Sequence, residues 1–188
     1  LHACHLVCGH DYRFGARGAG DAEKLQTACR ARGLGCDVIG KVELDGITVS
    51  STYIRGLLRS GNLGRAVQFL GHPHLISGVV CHGDSRGHTL GLPTANLMLD
   101  ASLLVPAFGV YGGWAGTQRD GRYPAAVNLG VHPTVHALTS PVAEASLLGF
   151  SGDLYGQFLR LELLFQVRPE RQFATLDALT AQIAQDQQ

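Results

Sequence analysis

The chain has 188 residues, 45% of them apolar and 16% charged, with 15 basic and 15 acidic side chains in balance. This composition fits a globular protein with a buried core and excludes a disordered or fibrous one. A formal net charge of zero supplies no field that would draw the whole molecule to nucleic acid or to an anionic membrane, and leaves phosphate binding to local groups.

The length suits one generous domain or two small ones, since domains run to about 100–150 residues. The five cysteines, Cys4, Cys8, Cys29, Cys36 and Cys81, are odd in number and lack paired metal-type spacing, so they read as reduced, buried thiols. Pro106 and several glycines break the longest apolar candidate, Leu103 to Ala115, so no membrane span is expected. No signal-peptide pattern is visible, and the protein is expected in the cytoplasm. The chain opens at Leu1 on a strand-like stretch, and a further segment upstream is expected.

In chain order, the run Leu6-Val7-Cys8 predicts a strand, followed by the loop Gly9 to Gly15. Asp21 can cap a helix that turns Leu25 and Cys29 inward, with Gly33 and Gly35 to stop it. Residues 37–44 read as one strand, and Asp45-Gly46 as a tight turn. Ser50-Ser51-Thr52 offers hydroxyl caps for a helix carrying Ile54, Leu57 and Leu58; after Gly61-Asn62 a second helix spans 63–70, with Val67 and Leu70 on one side. This alternation is α/β in character. After Gly71-His72-Pro73 the period changes from helical to alternating, which sets an expected domain boundary between residues 72 and 73. Strands are predicted at 75–82, 95–99, 110–117, 122–129, 142–148 and 158–167. Six short strands in about ninety residues suggest a closed antiparallel barrel, which leaves no exposed edge. Leu176, Leu179 and Ile183 lie at helical spacing and predict a closing helix over 175–185.

The segment from His82 to Asn96 leaves one strand, crosses a glycine-rich loop and enters the next. Gly83, Gly87 and Gly91 let backbone N–H groups approach an anion, though such loops also serve as ordinary turns. Thr94 and Asn96 lie two apart at the start of a strand, so both point to one face. A hydroxyl and an amide oxygen are hard neutral ligands for Mg²⁺, which would draw most of its charge compensation from nucleotide phosphates.

Gly87-His88-Thr89-Leu90-Gly91-Leu92-Pro93-Thr94-Ala95-Asn96 closely resembles the G-x-x-L-G-x-P-T-A-N signature of riboflavin kinases. Three further stretches match that family in order: Pro106 to Tyr111, Asn128 to Thr134, and Asp153-Leu154-Tyr155-Gly156. The resemblance implies a six-stranded barrel that moves the γ-phosphate of ATP to the 5′-hydroxyl of riboflavin, giving FMN and ADP. It implies nucleotide and flavin contacts at Gly83, Arg86, Gly87, Gly91 and Asn128, and magnesium held by Thr94 and Asn96. The family's catalytic base, a glutamate on the strand before Asp-Leu-Tyr-Gly, falls on Glu144, whose neighbours are mostly apolar. Arg171, in a stretch similar to the family's R-x-E-x-x-F segment, is a flavin contact or a surface ion-pair residue. The sequence departs from the pattern where histidine is usual (Ser146), where aspartate is usual (Gly149), and at His132 and Val135, where arginine and phenylalanine are common.

Gly9 to Gly15, Gly20-Asp21 and Val49 to Arg55 are similar to the later portion of the FMN adenylyltransferase domain that precedes the kinase in bacterial FAD synthetases. The resemblance therefore implies a partial Rossmann-like nucleotidyltransferase segment over 1–72 and a kinase barrel with a C-terminal helix over 73–188. Ser51, Thr52 and Arg55 can bind nucleotide phosphate at a helix start, and the Ser-Ser-Thr run serves a simple N-cap as well. The H-x-G-H motif of that fold is absent from these residues, so adenylylation of FMN to FAD is expected only of a longer protein. His2, Cys4, His5, Cys8 and His10 could form a zinc site, but strand alternation turns His5 away from the others. His82 and His88 read as exposed loop residues. A single-stranded nucleic-acid barrel fits poorly, because 7% aromatic residues and a lysine-free second half cannot supply a basic, stacking groove. A non-catalytic flavin- or nucleotide-binding barrel is the alternative to the enzyme. Riboflavin and ATP are the expected partners, with no nucleic acid, membrane or obligate protein partner.

Overall fold

The computed structural model describes residues 3–81, 94–100, 102–117, 121–133 and 139–170. They divide into two compact units, one up to Ser50 and one from Ser51.

In the first unit β1 (His5–Gly9) and β4 (Gly35–Ile39) pair in parallel. Parallel neighbours need a crossover, and α1 (Ala22–Arg30) supplies it. Asp21 is extended at the N-cap and its carboxylate accepts the Lys24 N–H at 2.9 Å, satisfying one orphan donor of the first turn. Those contacts, the backbone bond first, hold the Asp21 carboxyl below its ordinary pKa. Ala22 and Cys29, two turns apart, are the buried residues of the helix. Gly33 then takes a positive φ of 66°, and Leu34 N–H returns to the Cys29 carbonyl at 2.9 Å, turning the chain into β4. Before α1, β2 (Arg13–Phe14) and β3 (Gly20–Asp21) form a short antiparallel pair.

The single strand expected over 37–44 is broken. The His10 N–H to Ile39 carbonyl bond is the last rung against β1, and beyond it the chain enters a separate hairpin of β5 (Glu43–Leu44) and β6 (Ile47–Thr48). Asp45 and Gly46, at φ 53° and 73°, make the expected turn, both left-handed as a two-residue hairpin loop requires.

The second unit opens with α2 (Ser51–Arg59) and α3 (Leu63–Leu70). Leu58, Leu63 and Ala66 belong to the same buried cluster as the barrel residues that follow, and Ala107 N–H bonds the Leu58 carbonyl. By packing, the compact unit therefore begins at Ser51, ahead of residue 73; the change of period at 72–73 marks the passage from helix to strand. On α3 the buried stripe is Leu63, Ala66 and Phe69, with Val67 and Leu70 half-buried beside it.

Six strands follow: β7 (His74–Cys81), β8 (Thr94–Met98), β9 (Gly109–Thr117), β10 (Arg122–Pro133), β11 (Thr139–Leu147) and β12 (Phe158–Pro169). They close into an antiparallel barrel in the order β10-β11-β8-β7-β12-β9. Alternate residues fill it: Ala95 and Leu97; Ala143, Ala145 and Leu147; Ala125, Val127 and Leu129; Leu159, Leu161 and Leu163. At Gly113 an added Cβ would lie 2.0 Å from the Glu162 carbonyl oxygen, so only glycine lets β9 approach β12 this closely. Tyr111 is buried, its hydroxyl donates to the Ala107 carbonyl, and burial pushes its pKa up to about 12. Among the described residues no helix is long and apolar enough to cross a membrane. The closing helix expected over 175–185 lies outside the described residues.

Candidate active site

The alternation that sends Ala95 and Leu97 into the barrel sends Thr94 and Asn96 to its outer wall. On β11 the same rule buries Ala143 and Ala145 and turns Glu144 outward, half-buried. Register then aligns these side chains: Asn96 of β8 lies opposite Glu144 of β11, and Glu144 lies opposite Asn128 of β10. Directly opposed residues on antiparallel strands have Cβ atoms about 4.5–5.5 Å apart, so the carboxylate sits between two amides in one cross-strand row. Thr94, two residues along the same face, opposes Ser146. The row continues to Cys81 at the end of β7, which opposes Asn96.

A groove of about 120 Å³ opens along this row, lined by Asn128, Gly130, Val131, Val142, Glu144 and Glu170. Glu170 follows β12 directly and had no role assigned from sequence. Its carboxylate passes Gly130 so closely that an added Cβ there would lie 3.1 Å from Oε1. The Asn128-x-Gly130 spacing was the available signal, because the glycine lies on the same face as the asparagine and leaves the space that Glu170 fills. The two carboxylates and the amide among the described lining residues can hold a cation and accept from hydroxyl groups. On another part of the wall Arg122 bonds Glu162 at 2.5 Å and lies over the Trp114 ring at 4.5 Å, while Arg160 is 3.7 Å from Glu162.

The glycine-rich segment 82–93 connects, in sequence, Cys81 at the end of β7 to Thr94 at the start of β8, the two strands that carry the end of the row. Gly83, Arg86, Gly87, Gly91, His82 and His88 themselves lie outside the described residues, as do Arg171 and Val135. Ser51, Thr52 and Arg55 are exposed at the start of α2, a different element from the row. Gly149 adopts a positive φ of 76° in the turn after β11, a conformation that aspartate also tolerates. In the first unit His5 Nε2 is 3.0 Å from Asp37 Oδ2.

A polar row on the outer wall of a closed six-stranded barrel is the setting in which the comparisons with known proteins fall. Residues 70–188 match the family model of riboflavin kinase (flavokinase), and the chain belongs to that family. Residues 1–53 match the model of FAD synthetase. The chain is 35% identical over 190 residues to the bifunctional riboflavin kinase/FMN adenylyltransferase of Bacillus subtilis, covering 100% of this chain and 60% of that protein. It is 39% identical over 187 residues to the protein of the same description from Escherichia coli K12, covering 100% and 59%. A solved structure described as a macrolide-efflux protein from Streptococcus pneumoniae superposes with a TM-score of 0.83 at 32% identity, over 98% of this chain and 59% of that one. The chain thus spans about three-fifths of the length of the proteins it matches.

Proposed function

We propose that the barrel is an ATP:riboflavin 5′-phosphotransferase in which Glu144 takes the proton of the 5′-hydroxyl as oxygen attacks the γ-phosphorus of ATP. FMN and ADP are the products. The observation that carries this reading is the row Asn96–Glu144–Asn128 on one outward face, beside an open groove. Phosphoryl transfer asks little covalent chemistry of a protein and much positioning, together with a base within hydrogen-bond reach of the nucleophile. Asn128 and Glu170 would orient the ribityl hydroxyls on the β10 side of the base. Thr94 and Asn96 fit a magnesium ion: they offer two neutral oxygen ligands on one face of β8, next to a carboxylate. Bound there with ATP, the ion would offset negative charge on the phosphates. Gly83, Arg86, Gly87 and Gly91 would cradle those phosphates by backbone N–H and guanidinium, and Arg171 would meet the flavin ring.

For residues 1–72, which take in the first unit and the helices α2 and α3, we infer the later part of an FMN adenylyltransferase domain of Rossmann-like type, joined to the kinase domain over 73–188. The FAD synthetase match and the parallel β1–α1–β4 arrangement support it. In the whole protein Ser51, Thr52 and Arg55 would serve nucleotide phosphate during adenylylation of FMN to FAD. Both reactions belong in the cytoplasm with their ATP supply, and neither needs a protein partner.

Incubation of the chain with riboflavin, ATP and Mg²⁺, followed by chromatographic separation of flavins, tests the kinase. FMN should accumulate with equimolar ADP. Riboflavin bound but unconverted would instead identify a non-catalytic flavin-binding barrel.

A further inference from the structure

Three of the five thiols, Cys8, Cys29 and Cys36, lie on elements of the first unit that pack on one another. Pairing Leu6 with Cys36 and Cys8 with Val38 sets Cys36 and Cys8 on one face of the β1–β4 pair, the half-buried face, while His5, Val7, Asp37 and Ile39 are exposed on the other. Cys29 comes to the same place from α1, where it is 3% exposed. One turn before Cys29 on α1, Gln26 Nε2 donates to the Cys36 carbonyl at 3.5 Å, which places this helix over β4 at Cys36. Burial first, then the neighbouring Cys29 and Cys8 thiols, hold the Cys36 pKa above its ordinary value. The Leu34 N–H to Cys29 carbonyl bond shows how the chain doubles back between Cys29 and Cys36.

We propose that Cys36 and Cys29 are a thiol pair that closes to a disulfide linking α1 to β4 on exchange with a small disulfide such as oxidised glutathione. The half-buried Cys36 is the point of entry, because Cys29 is enclosed. Its thiolate attacks one glutathione sulfur, the glutathione S–S bond breaks, and one glutathione thiolate leaves. Cys29, deprotonated in turn, attacks the Cys36 sulfur of the mixed disulfide and expels the second glutathione. Two protein thiols and one glutathione disulfide become one protein disulfide and two glutathione thiols, so electrons and protons balance. The raised pKa of Cys36 keeps the pair reduced and slow to react at neutral pH, since the thiolate is the nucleophile. Closure restrains the β1–α1–β4 crossover and leaves the kinase row of the second unit untouched.

The test is incubation of the intact chain with oxidised glutathione, then alkylation of the remaining thiols, trypsin digestion and mass spectrometry. Cleavage at Lys24, Arg30, Arg32 and Lys41 puts Cys29 in peptide 25–30 and Cys36 in peptide 33–41, so the disulfide joins two separable peptides. The proposal expects an intact mass lower by two hydrogens, peptides 25–30 and 33–41 crosslinked, and both changes reversed by dithiothreitol. Cys29→Ala should trap glutathione on Cys36, and Cys36→Ala should abolish the link, with Cys4→Ser unchanged as control. Should either alanine variant fail to fold, peptide mapping of the unsubstituted chain still decides. A link through Cys8, Cys4 or Cys81, a lasting glutathione adduct on the unsubstituted chain, or no reaction at any pH up to the alkaline range overturns it.

Discussion

Replacing Glu144 by glutamine removes the charge and the proton-accepting lone pair while keeping the length and shape of the side chain. The consequences separate cleanly because Glu144 faces outward: its neighbours Ala143 and Ala145 fill the barrel, and the row partners Asn96 and Asn128 can hydrogen-bond an amide as readily as a carboxylate. Folding stability should therefore move by no more than about 0.5 kcal/mol, as for a surface substitution. A positioned general base contributes about 10²–10⁴ in rate. At 1.36 kcal/mol per factor of ten this corresponds to about 2.7–5.4 kcal/mol of barrier. Initial rates of FMN formation at saturating ATP and riboflavin should fall by that factor, with the melting temperature unchanged and ATP binding, read by calorimetry with a non-hydrolysable analogue, within about threefold. A turnover number within about threefold of the unsubstituted chain would show that no step depends on this carboxylate as a base, and would refute the assignment.

Gly130→Ala places a methyl group 3.1 Å from the Glu170 carboxylate oxygen, which sits at the end of a flexible side chain. The fold should tolerate it, while the narrowed groove raises the KM for riboflavin without changing the melting temperature; an unchanged KM would remove Glu170 from the substrate groove. Leu161→Ala opens a cavity at a fully buried barrel position and should cost about 2–5 kcal/mol, read as a lower urea midpoint at constant m-value. His74 is half-buried, its Nε2 has no partner among the described residues, and desolvation, the largest cause, lowers its pKa below the ordinary 6.5. A histidine whose folded pKa lies below its unfolded value binds fewer protons folded than unfolded, so stability is full above about pH 6.5 and declines as the pH falls below it. His74→Gln should flatten that acid limb in melting temperatures taken from about pH 8 to about pH 5, and an unaltered limb would assign it to other groups.

The barrel was legible because each strand carries its own alternation: Ala95 and Leu97, Ala143 and Ala145, and Leu159, Leu161 and Leu163 all announce a buried face in their local sequence. Strand ends were less so. Gly130, His132 and Pro133 look like terminators, yet β10 runs on to Pro133, because the β10–β11 ladder continues through Val131 opposite Pro141 to Pro133 opposite Thr139. The split of residues 37–44 depends on where β1 ends, which lies thirty residues away in the chain and sends no local signal. At the candidate site, the shared face of Thr94 and Asn96 follows from their spacing alone. Their adjacency to Glu144 does not, since β8 and β11 become neighbours only through the order in which the barrel closes. Glu170 stayed hidden for the same reason: it lies beyond the last strand, and only Gly130 on a distant strand marks the space it enters.

A crystal structure of the chain with riboflavin, ADP and Mg²⁺ tests the central assignment most directly. The 5′-hydroxyl oxygen should stand about 2.6–3.2 Å from a Glu144 carboxylate oxygen, with the metal on Thr94 and Asn96. A flavin seated elsewhere, with its ribityl end remote from Glu144, would contradict it.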